Sequence, residues 1–225
     1  MLKHIDELRA RLINSLIFLS LVFIGCYYFS SSLYDLIALP ILKYLPAETK
    51  IITTKVTAPF MVPLQFSFLL ALLISAPYLL YNIWMFVKPG LYKHERQNFL
   101  PIIIASCILF YAGIGFAIFV ICPIALKFFI SCAPASVTVM LDIANYLDFI
   151  VTIAIGTGIG FQIPIVTSLL IRCKIFTKQQ LSHKRRHVIV VAFVAGMLLA
   201  PPDVISQILL ALPMWILFEA GLAMS

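Results

Sequence analysis

The hydrophobic positions of this chain fall into long runs separated by short polar stretches. The four longest runs cover residues 12–29, 64–87, 99–126 and 146–171. About 20 apolar residues in a helix cross a hydrocarbon core of about 30 Å, and a longer run crosses it with a tilt. The pattern therefore predicts an all-α protein whose helices span a membrane.

Two shorter apolar runs follow, at residues 188–200 and 204–218, with Pro201, Pro202 and Asp203 between them. A helix over the first of these runs is only about 20 Å long, because each residue adds about 1.5 Å. The pair forms either two short spans with local thinning of the bilayer or a re-entrant hairpin. In both cases its two ends lie on the same side. We expect one polytopic domain over residues 1–225, with six transmembrane helices of which the last two are short.

Composition excludes a water-soluble globule. Of the 225 residues, 63% are hydrophobic and 11% are charged, and the mean hydropathy is +1.08. Soluble domains carry about a quarter charged residues, and disordered chains are poorer in hydrophobic residues than this one. The spans leave no room for a separate soluble domain, so function must come from the helices and their loops.

The distribution of positive charge predicts the orientation. Lys and Arg number 16 against 9 Asp and Glu, for a formal charge of +7. Most of them precede the first span or lie between spans two and three or spans four and five, and fewer lie on the opposite side. Basic loops stay in the cytoplasm, so we expect both termini there and do not expect nucleic acid as a partner. The first group is Lys3, Arg9, Arg11, Lys88, Lys93, Arg96, Arg172, Lys174, Lys178, Lys184, Arg185 and Arg186; the second is Lys43, Lys50, Lys55 and Lys127.

The longest segment outside the membrane is the outer loop at residues 30–63. Its part at 33–46 is too apolar for a free loop and predicts short helices along the outer interface, interrupted at Pro40 because proline cannot donate the helical hydrogen bond. Prolines also fall inside the long runs and predict kinked helices. Such helices form a curved bundle with a concave face. These prolines are Pro77, Pro123 and Pro164.

The sequence gives little support to catalysis or metal binding. It contains no GxSxG, HExxH or phosphate-loop motif, and its four histidines fall at the edges of the spans. None of the five cysteines forms a CxxC pair, so we expect no enzyme activity, no metal and no cofactor. Whether Cys122 and Cys132 form a disulfide is a question that the sequence leaves open.

Two carboxylates on the basic face are the leading candidates for binding. Glu7 precedes the first span and Glu95 precedes the third. Glu7 can simply pair with Arg11 one helical turn away, and Glu95 can sit at a helix N-terminus. Alternatively, the two form an acidic patch for a cationic ligand. Guanidinium suits such a patch best, because it offers carboxylates a planar two-bond fork that ammonium lacks.

One polar residue lies deep in a span. Gln162 is midway along the fourth run beside Pro164. Its side chain either bonds to the carbonyl that the proline leaves free, or contacts another transmembrane helix, which is worth about 1 kcal/mol.

Five strings distributed along the chain carry a family resemblance. They are HIDELRARL at 4–12, SAPYLLYNIWMF at 75–86, LYKHER at 91–96, LFYAGIGFA at 109–117 and GMLLAPPDVISQILLALPM at 196–214. With these strings the chain resembles the TatC family, the multi-spanning subunit of the bacterial twin-arginine protein translocase. The resemblance extends over essentially the whole chain, and its strings at 91–96 and 196–214 are the most specific.

The resemblance implies a receptor in the bacterial inner membrane that binds twin-arginine signal peptides at the cytoplasmic face. Such receptors self-associate, assemble with single-span TatA- and TatB-like partners, and export folded proteins using the proton-motive force. The family's signal-binding positions fall on Glu7, Arg9, Phe86, Leu91, Tyr92, Lys93, Glu95 and Arg96, and its outer-face positions fall on Pro40 and Asp203. Where many members carry a glutamate in the fourth helix, this chain has Gln162, which cannot titrate but can still contact a partner helix.

The main alternative is a small-solute secondary transporter. It would need polar groups converging at the middle of the bilayer, where this sequence offers little besides Gln162, and it would favour internal repeats, which we do not find.

Overall fold

Helices make up nearly all of the chain that the structure describes. The computed structural model describes residues 2–29, 51–88, 99–132, 141–199 and 204–223. Within them, five helical stretches are long and apolar enough to cross a membrane, so the predicted multi-span helical fold is confirmed. The elements are α1 (Leu2–Tyr28), β1 (Ile51–Ile52), α2 (Ala58–Val87), α3 (Phe99–Phe116), a π-helical segment (Ala117–Ile121), α4 (Cys122–Ser131), β2 (Leu141–Asp142), α5 (Ile143–Gly160), α6 (Ile163–Arg172), α7 (Lys178–His183), α8 (Arg185–Leu199) and α9 (Val204–Ala223).

The first helix is peripheral. It includes the polar stretch before residue 12, so α1 begins well ahead of the apolar run, and only 6% of its spanning window is buried. Its main contact is with α2. The Phe18 and Tyr78 rings are tilted by 45° with centroids 4.5 Å apart, and Phe23 meets Phe68 edge-on at 6.3 Å. The rest of α1 presents apolar side chains outward, as expected of a helix that contacts lipid.

The core lies between α2, α3 and α5, with α9 against it. Buried side chains in this core include Trp84, Phe110 and Ile153. Close helix approach depends on glycine: a Cβ built on Gly113 of α3 would lie 2.8 Å from the backbone oxygen of Thr157 in α5. Gly113 therefore allows α3 and α5 to pack closely.

Of Pro77, Pro123 and Pro164, two coincide with irregular backbone. Pro123 lies two residues after the π-helical segment ends, in the first turn of α4. Pro164 lies in the first turn of α6, after α5 has ended at Gly160. Pro77, by contrast, lies inside α2, which continues through it. A proline removes one backbone donor. At Pro123 this loss coincides with a local change of helix type, and at Pro164 with a break between two helices.

A small parallel pairing joins two loops at one end of the bundle. Ile51 pairs with Leu141 and Ile52 with Asp142, so β1 and β2 bring the starts of α2 and α5 together. Lys55 Nζ adds a 3.0 Å hydrogen bond to the Asn145 side chain.

Asp142 is the centre of this junction. Its side chain caps α5 by accepting a 3.0 Å bond from the Ala144 amide, and it also accepts a hydrogen bond from the Thr54 hydroxyl. The Thr54 bond is the main reason that the pKa of Asp142 lies below its ordinary value, and the Ala144 amide and the nearby Lys55 charge add to the effect. Both bonds favour the ionised carboxylate.

The last two helices of the described chain differ in length, and of the two only α9 is among the five stretches long enough to cross a membrane. α8 has 15 residues, about 22 Å of helix, whereas α9 has 20 residues and extends past the predicted end at residue 218. They pack against each other, with Gly196 close to the backbone of Gln207. Pro40 and Asp203, together with the predicted interfacial helices at 33–46, lie outside the described residues.

The open question of a disulfide between Cys122 and Cys132 is answered by the helix that separates them. Both thiols are free. They lie at the two ends of α4, about 15 Å apart along its axis. A disulfide requires Cα atoms closer than about 7 Å, so this pairing is ruled out.

Candidate functional site

The N-terminal turns of α1 carry an ion pair between Glu7 and Arg11. Arg11 donates to Glu7 Oε1 through Nη2 at 2.7 Å and through Nε at 3.1 Å. The two side chains are partly exposed, at 39% for Glu7 and 25% for Arg11. A pair at this spacing and exposure is worth about 0.3–0.5 kcal/mol. The Glu7 carboxylate therefore accepts a guanidinium and can exchange it at small cost.

Arg9 follows Glu7 by two residues, and its side chain is exposed. Within the described part of the chain it forms no ion pair. It therefore adds positive charge to the surface around Glu7 without neutralising it.

An apolar cavity of about 310 Å³ separates this part of α1 from the end of α2. Arg11 borders the cavity on one side and Phe86 on the other, so the structure brings the Glu7–Arg11 pair and Phe86 to one site. Because residues near the start of α1 and the end of α2 share this cavity, the two helices run antiparallel here. The lining is Leu8, Arg11, Leu12, Ser15, Leu16, Leu79, Asn82, Ile83 and Phe86.

The start of α3 lies at the same end of the bundle. Trp84, one turn before the end of α2, donates from Nε1 to the hydroxyl of Ser106 in α3 at 2.7 Å. The connection between α2 and α3 therefore starts and finishes at the end where Glu7 lies. The remaining predicted binding residues belong to this connection and lie outside the described residues: Leu91, Tyr92, Lys93, Glu95 and Arg96.

Gln162 belongs to a hydrogen-bonded chain inside the bundle. Its Nε2 donates to the backbone oxygen of Ser106 at 2.9 Å, and its Oε1 accepts from the Ser106 hydroxyl. Ser106 also accepts the Trp84 bond, so three helical segments are joined. One of the two interpretations of Gln162 expected a bond to the carbonyl that Pro164 leaves free. Neither of these Gln162 bonds goes to such a carbonyl. Its contact with a partner helix stays a prediction.

Ser106 is absent from the sites predicted from the sequence, whereas the pairing of Glu7 with Arg11 is among them. Ser106 is a single hydroxyl in an apolar run, and only the distance between helices shows that it joins Trp84 to Gln162. For Arg11 the i, i+4 spacing to Glu7 was a visible signal, and the pairing it indicates is present.

The described residues include no group of three or more His, Cys, Asp or Glu side chains placed to hold a metal ion. The site itself consists of a carboxylate that contacts a guanidinium, with an apolar cavity beside it.

Comparison with known proteins identifies the family. Residues 3–213 match the family model described as "Sec-independent protein translocase protein (TatC)". The chain belongs to the TatC family. It is 43% identical over 225 residues to the TatC protein of Escherichia coli strain K12, covering 100% of this chain and 87% of that protein. It is 35% identical to the Aquifex aeolicus TatC, covering 98% and 92%.

Solved structures agree. A crystal structure of the twin-arginine translocase receptor TatC matches with a TM-score of 0.87 at 36% identity, covering 98% of this chain and 96% of that one. A second TatC crystal structure, determined in the detergent DDM, matches with a TM-score of 0.89 at 35% identity. The resemblance stated from the sequence is confirmed, and the protein is a TatC-type component of Sec-independent protein transport.

Proposed function

We propose that this TatC protein is the receptor for twin-arginine signal peptides, and that Glu7 and Glu95 hold the paired arginines. The observation that carries the proposal is the Glu7–Arg11 pair. An arginine of the chain already contacts the Glu7 carboxylate through two nitrogens, at 2.7 and 3.1 Å. An incoming guanidinium can replace it with the same chemistry.

The surroundings of Glu7 support this role. The cavity of about 310 Å³ next to the pair is almost entirely apolar and ends at Phe86. A signal peptide carries apolar residues near its charged motif, so a carboxylate beside an apolar cavity suits both parts. The connection that contains Glu95 begins and ends at the same end of the bundle, which allows the two carboxylates to act on one peptide. Leu91, Tyr92, Lys93 and Arg96 complete this recognition surface in the proposal.

The basic loops and the family also suggest how the chain is oriented and what it assembles with. Both termini lie on the cytoplasmic side of a bacterial inner membrane, because the Lys- and Arg-rich loops flank the Glu7 end. TatA- and TatB-like single-span proteins and further copies of this chain assemble around it, with Gln162 at a partner contact and Pro40 and Asp203 at the outer face. The proton-motive force drives transport, and the protein itself is not an enzyme.

The transporter alternative gains no support from the bundle interior. Three of the polar groups at depth, those of Trp84, Ser106 and Gln162, bond to one another and are therefore not available to a solute.

Peptide binding to variants of the purified protein tests the proposal. Charged hydrogen bonds are worth about 1.5–3 kcal/mol, and replacing Arg11 on Glu7 costs about 0.3–0.5 kcal/mol. We therefore expect Glu7→Gln to weaken binding of a twin-arginine peptide by at least about fivefold. Arg11→Gln, which frees the carboxylate, should strengthen binding about twofold.

Asp6→Asn is the matched control, because it removes the same charge from the exposed neighbouring residue. It should leave the affinity within about twofold. Equal weakening by Asp6→Asn and Glu7→Gln would show that only overall charge matters, and would contradict the proposed role of Glu7.

A further inference from the structure

A second cavity, of about 420 Å³, lies between α3 and α6. One face of each helix lines it, because the lining residues recur about one turn apart along both helices. The receptor proposal makes no use of this cavity. The lining residues that matter here are Pro101, Ala105 and Leu109 of α3 and Ile165, Leu169 and Arg172 of α6.

The break between α5 and α6 explains why this cavity is present. α5 packs along α3, whereas α6 packs mainly against α9 and contacts α3 only weakly. The two helices are separated at Phe161 and Gln162. The hydrogen bonds between Gln162 and Ser106 still join this break to α3. The cavity is therefore bounded by helices that defined contacts hold in place.

The cavity is apolar along most of its length and lies in the membrane-spanning part of the chain. Pro101 is exposed, and Ala105 and Leu109 are half-buried, so the apolar lining is itself accessible. Both walls belong to stretches long and apolar enough to cross a membrane, Leu100–Ser131 and Ile143–Arg172. A hydrocarbon chain suits these walls better than water does, because they offer water few hydrogen bonds.

Arg172 gives one end of the cavity a positive charge. It lies in the last turn of α6, at the end of a membrane-spanning stretch, and it is exposed. It forms no ion pair with any described residue, and none of the described residues that line the cavity is acidic. Its guanidinium can therefore bind a phosphate through a two-bond fork. The ammonium of a zwitterionic headgroup would find no carboxylate in this lining.

The length of the cavity matches one acyl chain. Pro164 lines the cavity eight residues before Arg172, so α6 advances by about 12 Å between them. The hydrocarbon of one leaflet is about 15 Å deep, half of a core that is about 30 Å thick. The same length of a helix about 10 Å wide would fill roughly 900 Å³, which is more than twice the volume of the cavity.

We propose that the cavity between α3 and α6 binds one acyl chain of an anionic phospholipid, whose phosphate contacts Arg172. Basic pockets between membrane helices bind anionic headgroups in this way. The proposal holds whether or not Glu7 binds signal peptides, and its test uses no signal peptide.

Native mass spectrometry of the full chain in detergent tests the contact with the headgroup, with dioleoylphosphatidylglycerol and dioleoylphosphatidylcholine as probes. The wild type should retain phosphatidylglycerol preferentially. Arg172→Gln should weaken this retention about fivefold, the effect of one basic group at a membrane surface. Arg186→Gln is the matched control, because Arg186 is exposed and does not line the cavity. It should change retention less than about twofold, and equal effects of the two variants would overturn the proposal.

A second pair of variants tests the acyl chain without a change of charge. Ala105→Leu partly fills the cavity and should weaken retention of phosphatidylglycerol at least about fourfold, the contribution of one buried methylene of an acyl chain. Ala220→Leu makes the same enlargement at an exposed position of α9 that does not line the cavity. It should leave retention within about twofold of the wild type. Undiminished retention by a folded Ala105→Leu variant would overturn the proposal.

Two competitors distinguish the lipid from other occupants. Glycerophosphoglycerol carries the same phosphate without acyl chains, and a polyleucine transmembrane peptide supplies an apolar helix. Displacement of phosphatidylglycerol by either competitor at equal concentration would identify a free anion or a helix as the occupant, and would overturn the proposal. Circular dichroism shows whether each variant is folded. If Ala105→Leu is misfolded, the comparison of Arg172→Gln with Arg186→Gln, both at exposed positions, still decides the question.

Discussion

Replacing Ser106 with alanine should destabilise the bundle more than replacing the larger Gln162 with leucine. The Ser106 side chain is fully buried, at 0% exposure, and its hydroxyl serves both Trp84 and Gln162. Ser106→Ala leaves the Trp84 N–H, in a side chain 5% exposed, without an acceptor. An orphaned buried donor costs about 1–3 kcal/mol.

Gln162→Leu should lower the free energy of unfolding by less, because it leaves the hydrogen bond between Trp84 and Ser106 in place. It removes both bonds to Ser106, but the Ser106 hydroxyl still accepts from Trp84. Polar contacts between membrane helices average about 0.6 kcal/mol, and the leucine recovers some apolar packing. We expect a loss of about 0.5–1.5 kcal/mol.

Thermal unfolding in a single detergent, followed by Trp fluorescence and circular dichroism, measures both variants. Ser67→Ala is the matched control, because Ser67 is also 0% exposed and its hydroxyl has no hydrogen-bond partner among the described residues. It should be neutral or slightly stabilising. If Ser106→Ala is as harmless as Ser67→Ala, or costs less than Gln162→Leu, the hydrogen-bonded chain does not stabilise the bundle as described.

Three further predictions concern other parts of the molecule. Gly113→Ala places a methyl group 2.8 Å from the backbone oxygen of Thr157 and should cost about 1–3 kcal/mol of unfolding free energy; unchanged thermal unfolding would contradict this packing. Asp142 has a lowered pKa, so the stability it adds is complete above its ordinary value of 3.8 and is lost as pH falls through the lower folded-state pKa. The difference in melting temperature between wild type and Asp142→Asn, or Thr54→Val, should therefore shrink below pH 3.8, and a pH-independent difference would refute it. Gln162→Leu should also reduce co-purification of single-span partners if Gln162 lies at a partner contact, and undiminished recovery would count against that contact.

The sequence predicts the membrane helices well because hydropathy and length alone determine which segments can enter a bilayer. It predicts their ends less well. α1 begins at Leu2 instead of near residue 12, since nearly three turns of amphipathic helix precede the apolar run. The π-helical segment Ala117–Ile121 has no signature in hydropathy and depends on packing.

The candidate site also has one part that can be predicted from the sequence and another that cannot. Glu7 and Arg11 are four residues apart, so their pairing can be predicted from local spacing. The cavity that ends at Phe86, and the bonds that join Ser106 to Gln162, depend on which helix faces meet, and periodicity does not specify this in helices that are apolar on nearly every side.

The most direct test of the receptor proposal is equilibrium binding of two signal peptides to the purified protein. The peptides are identical except that one carries Arg-Arg and the other Lys-Lys, so their charge is equal. A carboxylate that holds guanidinium through a two-nitrogen contact, as Glu7 holds Arg11, should favour the arginine peptide by about tenfold or more. Equal affinity for the two peptides would contradict the proposal.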